Sequence, residues 1–319
     1  MEKTLDQTCI AGDAQRGRRL DAALAVLFPM GLRGRRRLWK GHKVLVDGIA
    51  RSPAFRLQGG ELLRLVPTDP PEVEENAEEK LVAAFSEDPP RLIARRDSLF
   101  FFYKPRGLHT EDLAGATEPA LEGFIARLMP DTPGIILLSR LDRGTSGIVP
   151  AAGDEEAAAR WRRQEQAGST HKHYLAVLEG RLDGERMVHN ALDLTRSRRT
   201  RVLEGEGPVL RHTRIRPLGH FRADEAPELM AGCPGDAGFT LALCRIAQGA
   251  RHQIRAHAAH IGHPLAGDML YGAQSGSSFL LHHCHIQWPD GELFCAPPWL
   301  AGLPASTIQH SVLFRTVKL

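Results

Sequence analysis

The sequence predicts an α+β protein: a large C-terminal domain with a mixed, mainly antiparallel sheet flanked by helices and loops, preceded by a small N-terminal α/β module. Three observations lead there. A length of 319 residues suits two domains, one of them large. Strand-like and helix-like segments follow one another without the regular βαβ rhythm of a parallel sheet. Charge is divided unevenly: residues 1–66 carry thirteen Lys and Arg against six Asp and Glu, and six acids then crowd between Asp69 and Glu79.

Composition narrows the class before any motif is considered. Hydrophobic residues make up 42% of the chain and charged residues 25%, the balance of a soluble globular protein. No apolar run approaches the roughly 18 residues of a membrane span, and Met1–Asp6 lacks the apolar core of a secretory leader. The expected location is the cytoplasm, without a membrane partner. The five cysteines (Cys9, Cys233, Cys244, Cys284, Cys295) are odd in number and include no Cys-x-x-Cys pair, which argues against a disulfide framework and a zinc finger. The basic surplus of residues 1–66 points to RNA or DNA as the partner of that module.

Residues 1–15 read as a loose tail and 16–66 as the module. Leu20, Ala23, Leu24 and Leu27 recur at helical spacing, and Pro29 ends that helix. A second, basic helix follows around Arg33–Lys40 and contains Arg35 and Arg36. His42–Gly48 reads as a strand that carries Lys43 and ends in an Asp-Gly turn, and Gly59–Leu65 as a turn into a closing strand. Residues 67–80 form an acidic, Pro-rich linker. The main domain, 81–319, opens with a buried strand, Leu99–Tyr103, that stops at Lys104-Pro105. Thr117–Leu128 and Gly153–Gln166 read as helices, the second with Asp154 as cap and Ala157, Ala158 and Trp161 on one face. Tyr174–Leu178 and Phe239–Ile246 read as strands. A further helix opens within Gly249–His257 and closes at Gly262-His263-Pro264.

Chemistry concentrates in Ser139–Val149, where Asp142 stands between Arg140 and Arg143 ahead of the small-residue turn Gly144–Gly147. A lone Asp in such a place is ordinarily a turn former; one flanked by two arginines is also suited to stay ionised beside phosphate. In the helix after Gly249, Ile254, Ala258 and Ile261 share the core face, which places Arg255 beside the buried stripe. A buried arginine needs a carboxylate, and Asp142 is the best candidate; a surface phosphate contact or a helix salt bridge is the competing assignment. His282-His283-Cys284-His285 with Cys295 invites a metal, but alternate strand residues face opposite sides, so structural roles are expected and no metal. Arg196, Arg198, Arg199 and Arg201 read as an RNA-facing loop or a solvated one.

The order Lys104-Pro105, Arg140-Leu141-Asp142-Arg143-x-Thr145-Ser146-Gly147, Lys172-x-Tyr174-Leu175-Ala176, His252-Gln253-Ile254-Arg255-x-His257, Gly262-His263-Pro264 and Gly267-Asp268-x-x-Tyr271-Gly272 resembles the pseudouridine synthases of the RluA type over roughly residues 92–300. Residues 16–66 resemble an S4 RNA-binding domain, with Gly31, Leu32 and Gly34 where that family favours Ser-Arg pairs. Ser139, Tyr103 and Ala250 depart from the synthase pattern, which has His, Asn and Arg there.

The resemblance implies an isomerase that converts uridine to pseudouridine in structured RNA, ribosomal RNA ahead of tRNA, with no cofactor and no metal. It implies Asp142 as nucleophile or base, Tyr174 as the ring that packs on the uracil with a hydroxyl close enough to help remove the C5 proton, and Arg255 as partner of Asp142. Arg140 would fill the space of a flipped-out base. Arg143, Lys104 and Lys172, with Arg35, Arg36 and Lys43 of the module, would contact RNA. A non-catalytic RNA-binding or ribosome-assembly protein on the same fold is the alternative. An RNA glycosidase is a third option and needs a second carboxylate; Asp268 is the candidate, although Gly-Asp before Tyr-Gly reads better as a turn near the pocket.

Overall fold

In a computed structural model of the chain, the described residues are 7–27, 42–67, 85, 88–112, 119–132, 134–195, 198–273 and 279–307. The chain divides into two compact units, Met1–Ala83 and Ala84–Leu319. None of the described helices is long and apolar enough to cross a membrane.

The first unit is a four-stranded antiparallel sheet of β1 (Gln7–Ile10), β2 (His42–Val46), β3 (Ile49–Ala50) and β4 (Leu62–Pro67) in the order β1-β4-β2-β3, with helix α1 (Leu20–Leu27) between β1 and β2 in the chain. The expected apolar stripe is the one buried: Leu20, Ala23 and Leu24 join Val44, Val46, Leu63 and Leu65 in one core. The Asp-Gly turn follows from backbone sterics. Asp47 (φ +49°) and Gly48 (φ +80°) both take the left-handed conformation that a two-residue hairpin demands. The loose tail expected over residues 1–15 is corrected from Gln7 onward. β1 pairs with β4, Cys9 opposite Leu63, and Ala11 is buried, because β4 has a free edge that this segment satisfies. The basic helix expected around Arg33–Lys40, with Arg35 and Arg36, and most of the linker lie outside the described residues.

The second unit is a mixed sheet, as expected. Its strands are β5 (Arg91–Arg96), β6 (Leu99–Lys104), β7 (Ile136–Leu137), β8 (Ser146–Ala152), β9 (His171–Glu179), β10 (Arg186–Val188), β13 (Thr213–Arg222), β14 (Gly238–Ile246), β15 (Leu281–Trp288) and β16 (Gly291–Phe294). The main path runs β10-β13-β14-β9-β15-β8-β6-β5, with β7 paired to β8 and β16 to β15. β11 (Asn190–Asp193) and β12 (Arg201–Glu206) form a separate hairpin. Helices α2 (Leu121–Leu128), α3 (Glu155–Gln166) and α4 (Gln253–His260) flank the sheet. Asp154 caps α3 through a 2.7 Å bond from the Ala157 amide, and Ala157, Ala158 and Trp161 are its buried face.

One seam decides where the site forms. β8 and β15 pair in parallel, the exception in an otherwise antiparallel ladder. They approach so closely at Gly147 (φ +114°) that a Cβ there would lie 2.3 Å from the His283 carbonyl oxygen. The seam sets the Ser146 hydroxyl 2.8 Å from His282 Nδ1, and it presents the His283 ring to β9, where it stacks on Tyr174 at 4.6 Å and 15°.

Candidate active site

Asp142 sits in the turn between β7 and β8, closed by a 3.0 Å bond from the Thr145 amide to the Asp142 carbonyl. The loop after β6 clamps both neighbouring peptides. Thr110 Oγ1 donates to the Leu141 carbonyl (2.8 Å) and accepts from the Leu141 amide (3.0 Å). The Gly107 amide donates to the Arg143 carbonyl (2.8 Å), and Arg143 Nε donates back to the Gly107 carbonyl (3.0 Å). With both flanking peptides tied, the Asp142 carboxylate starts from a fixed backbone.

Lys104 lies within this clamp rather than on an RNA-facing surface, which corrects the expected RNA contact there. Its ammonium is wholly buried and donates to the carbonyls of Pro105 (2.9 Å), Leu108 (2.7 Å) and Arg143 (3.4 Å). Burial pulls its pKa down to about 7, against the opposing pull of the Asp142 charge.

Arg255 meets Asp142 as the helix spacing predicted: Nη1 donates to Asp142 Oδ2 at 3.0 Å. Its stronger partner is Asp268, bound in bidentate fashion through Nε (2.6 Å) and Nη2 (2.9 Å). The guanidinium lies 4.4 Å from the Phe279 ring centre and 5.1 Å from that of Tyr271. Phe279 reaches it because Gly144 has no Cβ, which would lie 2.7 Å from that ring. Burial works to lower the pKa of Arg255, and the bonds to Asp268 and the charge of Asp142 outweigh it, so the group stays charged. The Asp268 side chain is 1% exposed and that of Asp142 is 23% exposed, so Asp142 keeps an open face. A carboxylate committed at both oxygens to one arginine cannot also serve as a glycosidase acid, which removes the role weighed for Asp268.

Tyr174, on β9, is nearly buried. Burial, then the negative charge of Asp142, raises its pKa, so the ring carries a neutral phenol at neutral pH. His252 stands just before α4 with φ +54°, a left-handed residue that delays the helix start to Gln253. Its Nε2 is 3.8 Å from Asp142 Oδ2, and its Nδ1 is 3.1 Å from the Tyr271 hydroxyl. Burial lowers its pKa more than Asp142 raises it, so the imidazole is neutral.

The other expected RNA contacts divide. Lys172 is 3% exposed and ion-paired to Glu165, so it too is corrected from an RNA contact to an interior pair. Arg140 is exposed at the rim and bonds Glu111 at 3.2 Å, and Arg143 is exposed beside it. Lys43 is exposed on β2 of the first unit. Arg198, Arg199 and Arg201 line a cleft of about 570 Å³ together with Tyr271 and His260, and the Arg199 guanidinium lies 5.1 Å from the Tyr271 ring. The His282–His285 run has the structural roles expected. Its imidazoles bond Ser146 and the carbonyls of Cys295 and Ile148, and His285 bonds His173 and Glu292.

Sequence reasoning missed the weight of Asp268, His252 and Phe279. The spacing of Gly267-Asp268 to Tyr271-Gly272 was the available signal for the first; nothing local marks Phe279.

Residues 98–260 match the model of the RNA pseudouridylate synthase family. The chain is 31% identical over 280 residues to the ribosomal large subunit pseudouridine synthase D of Nitrosomonas europaea, covering 86% of this chain and 74% of that one. It is 29% identical over 283 residues to the protein of the same name from Escherichia coli K12, covering 86% and 78%. Among solved structures, human RNA pseudouridylate synthase domain containing 1 superposes with a TM-score of 0.57 at 21% identity, over 72% of this chain and 95% of that one, a likeness of fold. The chain belongs to the RNA pseudouridylate synthase family. It is an RNA pseudouridine synthase, an isomerase by reaction class.

Proposed function

We propose that the enzyme isomerises uridine in ribosomal RNA of the large subunit, in the cytoplasm, with Asp142 as the nucleophile or base. The observation that carries the catalytic part is the Asp142 carboxylate held at 3.0 Å by a buried arginine while one face stays open. The names of the relatives carry the substrate part.

In the reaction the N1–C1′ bond breaks, a C5–C1′ bond forms, C5 loses a proton and N1 gains one. A carboxylate must stay ionised in a largely dry pocket, where burial alone favours the acid form. Arg255 opposes that and holds the rotamer; Asp268 holds Arg255. Tyr174 packs on the uracil and, as a phenol, offers a hydrogen bond. A uridine in a stem must leave the helix to reach Asp142. Arg140, exposed at the rim, fills the space it leaves, and Arg143 meets the backbone. The first unit, S4-like in sequence, binds RNA as well: Lys43 is exposed on β2, and Arg35 and Arg36 add to the positive charge of its sequence.

The test is pseudouridine mapping by carbodiimide on ribosomal RNA from cells lacking the gene, complemented with wild type or Asp142→Asn. The wild type restores carbodiimide-stable adducts in large-subunit RNA. Asn, nearly isosteric and uncharged, restores none while the purified variant still binds RNA. Adducts restored by the Asn variant would refute the role of Asp142; adducts restored only in tRNA would refute the substrate.

A further inference from the structure

We propose that His189, His212 and Glu206 form a binding site for a divalent transition-metal ion of the zinc class, which clamps the base of the arginine-bearing hairpin β11–β12. The three residues lie outside the site described above. His189 immediately precedes β11, Glu206 is the last residue of β12, and His212 follows a 3₁₀ turn, Val209–Arg211.

The geometry of the imidazoles carries the inference. His189 Nδ1 and His212 Nδ1 face each other at 3.3 Å, with ring planes 87° apart. Two nitrogens bound to one tetrahedral ion at 2.0–2.1 Å stand about 3.3–3.4 Å apart, so the observed separation is that of a coordination edge. The opposite nitrogen of His212, Nε2, donates to the Gly207 carbonyl at 3.1 Å. That bond fixes the tautomer and turns the Nδ1 lone pair toward His189, the outer-shell arrangement usual for ligating histidines. The Glu206 carboxylate is exposed and rests with Oε1 3.6 Å from His212 Nε2, so it joins the ion by turning toward the Nδ1 side; one ligand atom from each of the three residues lies within 4.8 Å of the others. Two nitrogens and one carboxylate, with a fourth position open to water, make a donor set that suits zinc. On binding, the proton shared between the two Nδ1 atoms leaves, either to solvent or to His189 Nε2.

The backbone beneath is already rigid, so little ordering is required. The Gly207 amide bonds the His189 carbonyl at 2.7 Å, and a Cβ at Gly207 would lie 2.8 Å from Ala191 Cα. Gln253 Nε2 donates to the Arg211 carbonyl at 2.7 Å, which ties the His212 turn to the start of α4, two residues before Arg255. At its far end the hairpin region supplies Thr200, whose amide donates to the Tyr271 hydroxyl at 2.9 Å. An ion at the hairpin base therefore fixes the arm that carries Arg198, Arg199 and Arg201 beside the catalytic pocket.

The test uses zinc alone, titrated calorimetrically into the full-length, tag-free protein after chelator treatment. One equivalent binds with a dissociation constant below about 10 μM, and His189→Ala and His212→Ala each weaken it at least about tenfold. In hydrogen exchange, zinc slows the amides of residues 190–206 in the wild type and not in His212→Ala. Wild-type binding weaker than about 10 μM overturns the proposal. So does tight binding that survives both His variants, or protection of the hairpin that persists without His212. Matching thermal melts of the variants without zinc exclude misfolding as the cause.

Discussion

Asp268→Asn separates the holder of Arg255 from the chemistry at Asp142. The wild-type guanidinium makes three bonds to carboxylates, two of them to Asp268 at 2.6 and 2.9 Å, in an environment where Asp268 is 1% exposed. Removing one partner of such a buried pair costs about 3–5 kcal/mol. The Asn oxygen still accepts one bond and Asp142 still neutralises Arg255, so the lower end, about 3 kcal/mol, is expected. Set against a typical 5–15 kcal/mol, the variant stays folded and its urea midpoint falls clearly. The guanidinium then follows Asp142 rather than fixing it, and a displacement of about 1 Å at a reacting group lowers turnover on the order of 100-fold. The assay is single-turnover release of tritium from RNA carrying 5-tritiated uridine, with filter binding measured in parallel. Turnover falls about 100-fold and RNA affinity changes less than about threefold. Wild-type turnover in a folded Asn variant would show that Arg255 needs no support from Asp268. A loss located wholly in RNA binding would refute the positioning role as well.

Acid should destabilise the protein well above the range of its carboxylates. An unfolded imidazole titrates near 6.5, whereas burial holds His257 and His282 at about 4 and His173 at about 3. As pH falls below 6.5 the unfolded chain takes up protons that the native state refuses, and stability drops by about 1.4 kcal/mol per pH unit for each group until the native value is reached. Three groups lose about 5 kcal/mol between pH 6.5 and 5, so the melting temperature at pH 5 falls by at least about 10 °C; a flat melting profile over that interval would contradict the buried neutral imidazoles. Gly147→Ala brings a Cβ to 2.3 Å from the His283 carbonyl oxygen at φ +114°, and a loss above about 4 kcal/mol is expected in urea melts; an unchanged midpoint would show that the β8–β15 seam tolerates separation. Tyr174→Phe keeps the ring and removes the hydroxyl, and turnover is expected to fall about tenfold, the equivalent of one hydrogen bond of about 1.4 kcal/mol. Full turnover would leave the ring with packing alone.

The Asp142–Arg255 pair is legible in the sequence because helical spacing puts Arg255 against the core and a buried cation demands an anion. Asp268 was harder to read because it is a turn residue as well: its amide bonds the Leu265 carbonyl and its own carbonyl accepts from Tyr271, both at 2.9 Å. Lys104 and Lys172 follow motif positions and carry charges, and lysines are ordinarily exposed. What buries them is the pairing of distant strands around them, β6 with β8 and β9 with both β14 and β15. The helix start at Gln253 depends on a single left-handed residue, His252, that no propensity marks. His189, Glu206 and His212 show no metal-binding spacing, because the hairpin brings the first two together and a hydrogen-bonded turn supplies the third.

Apolar periodicity, turn chemistry and the order of short motifs are local properties, and they were enough to specify an α+β chain, its main strands, the Asp47-Gly48 hairpin, the Asp154 cap and the family of the enzyme. The parallel seam at Gly147, the burial of Lys104, the fork between Arg255 and Asp268 and the stacking of His283 beneath Tyr174 were decided by tertiary structure. The physical reason is that the cost of burying a charge, and the partner that offsets it, depend on which remote segments surround the group. In this protein such segments lie far apart in the chain: Ser146 and His282, which meet across the seam, are separated by 136 residues.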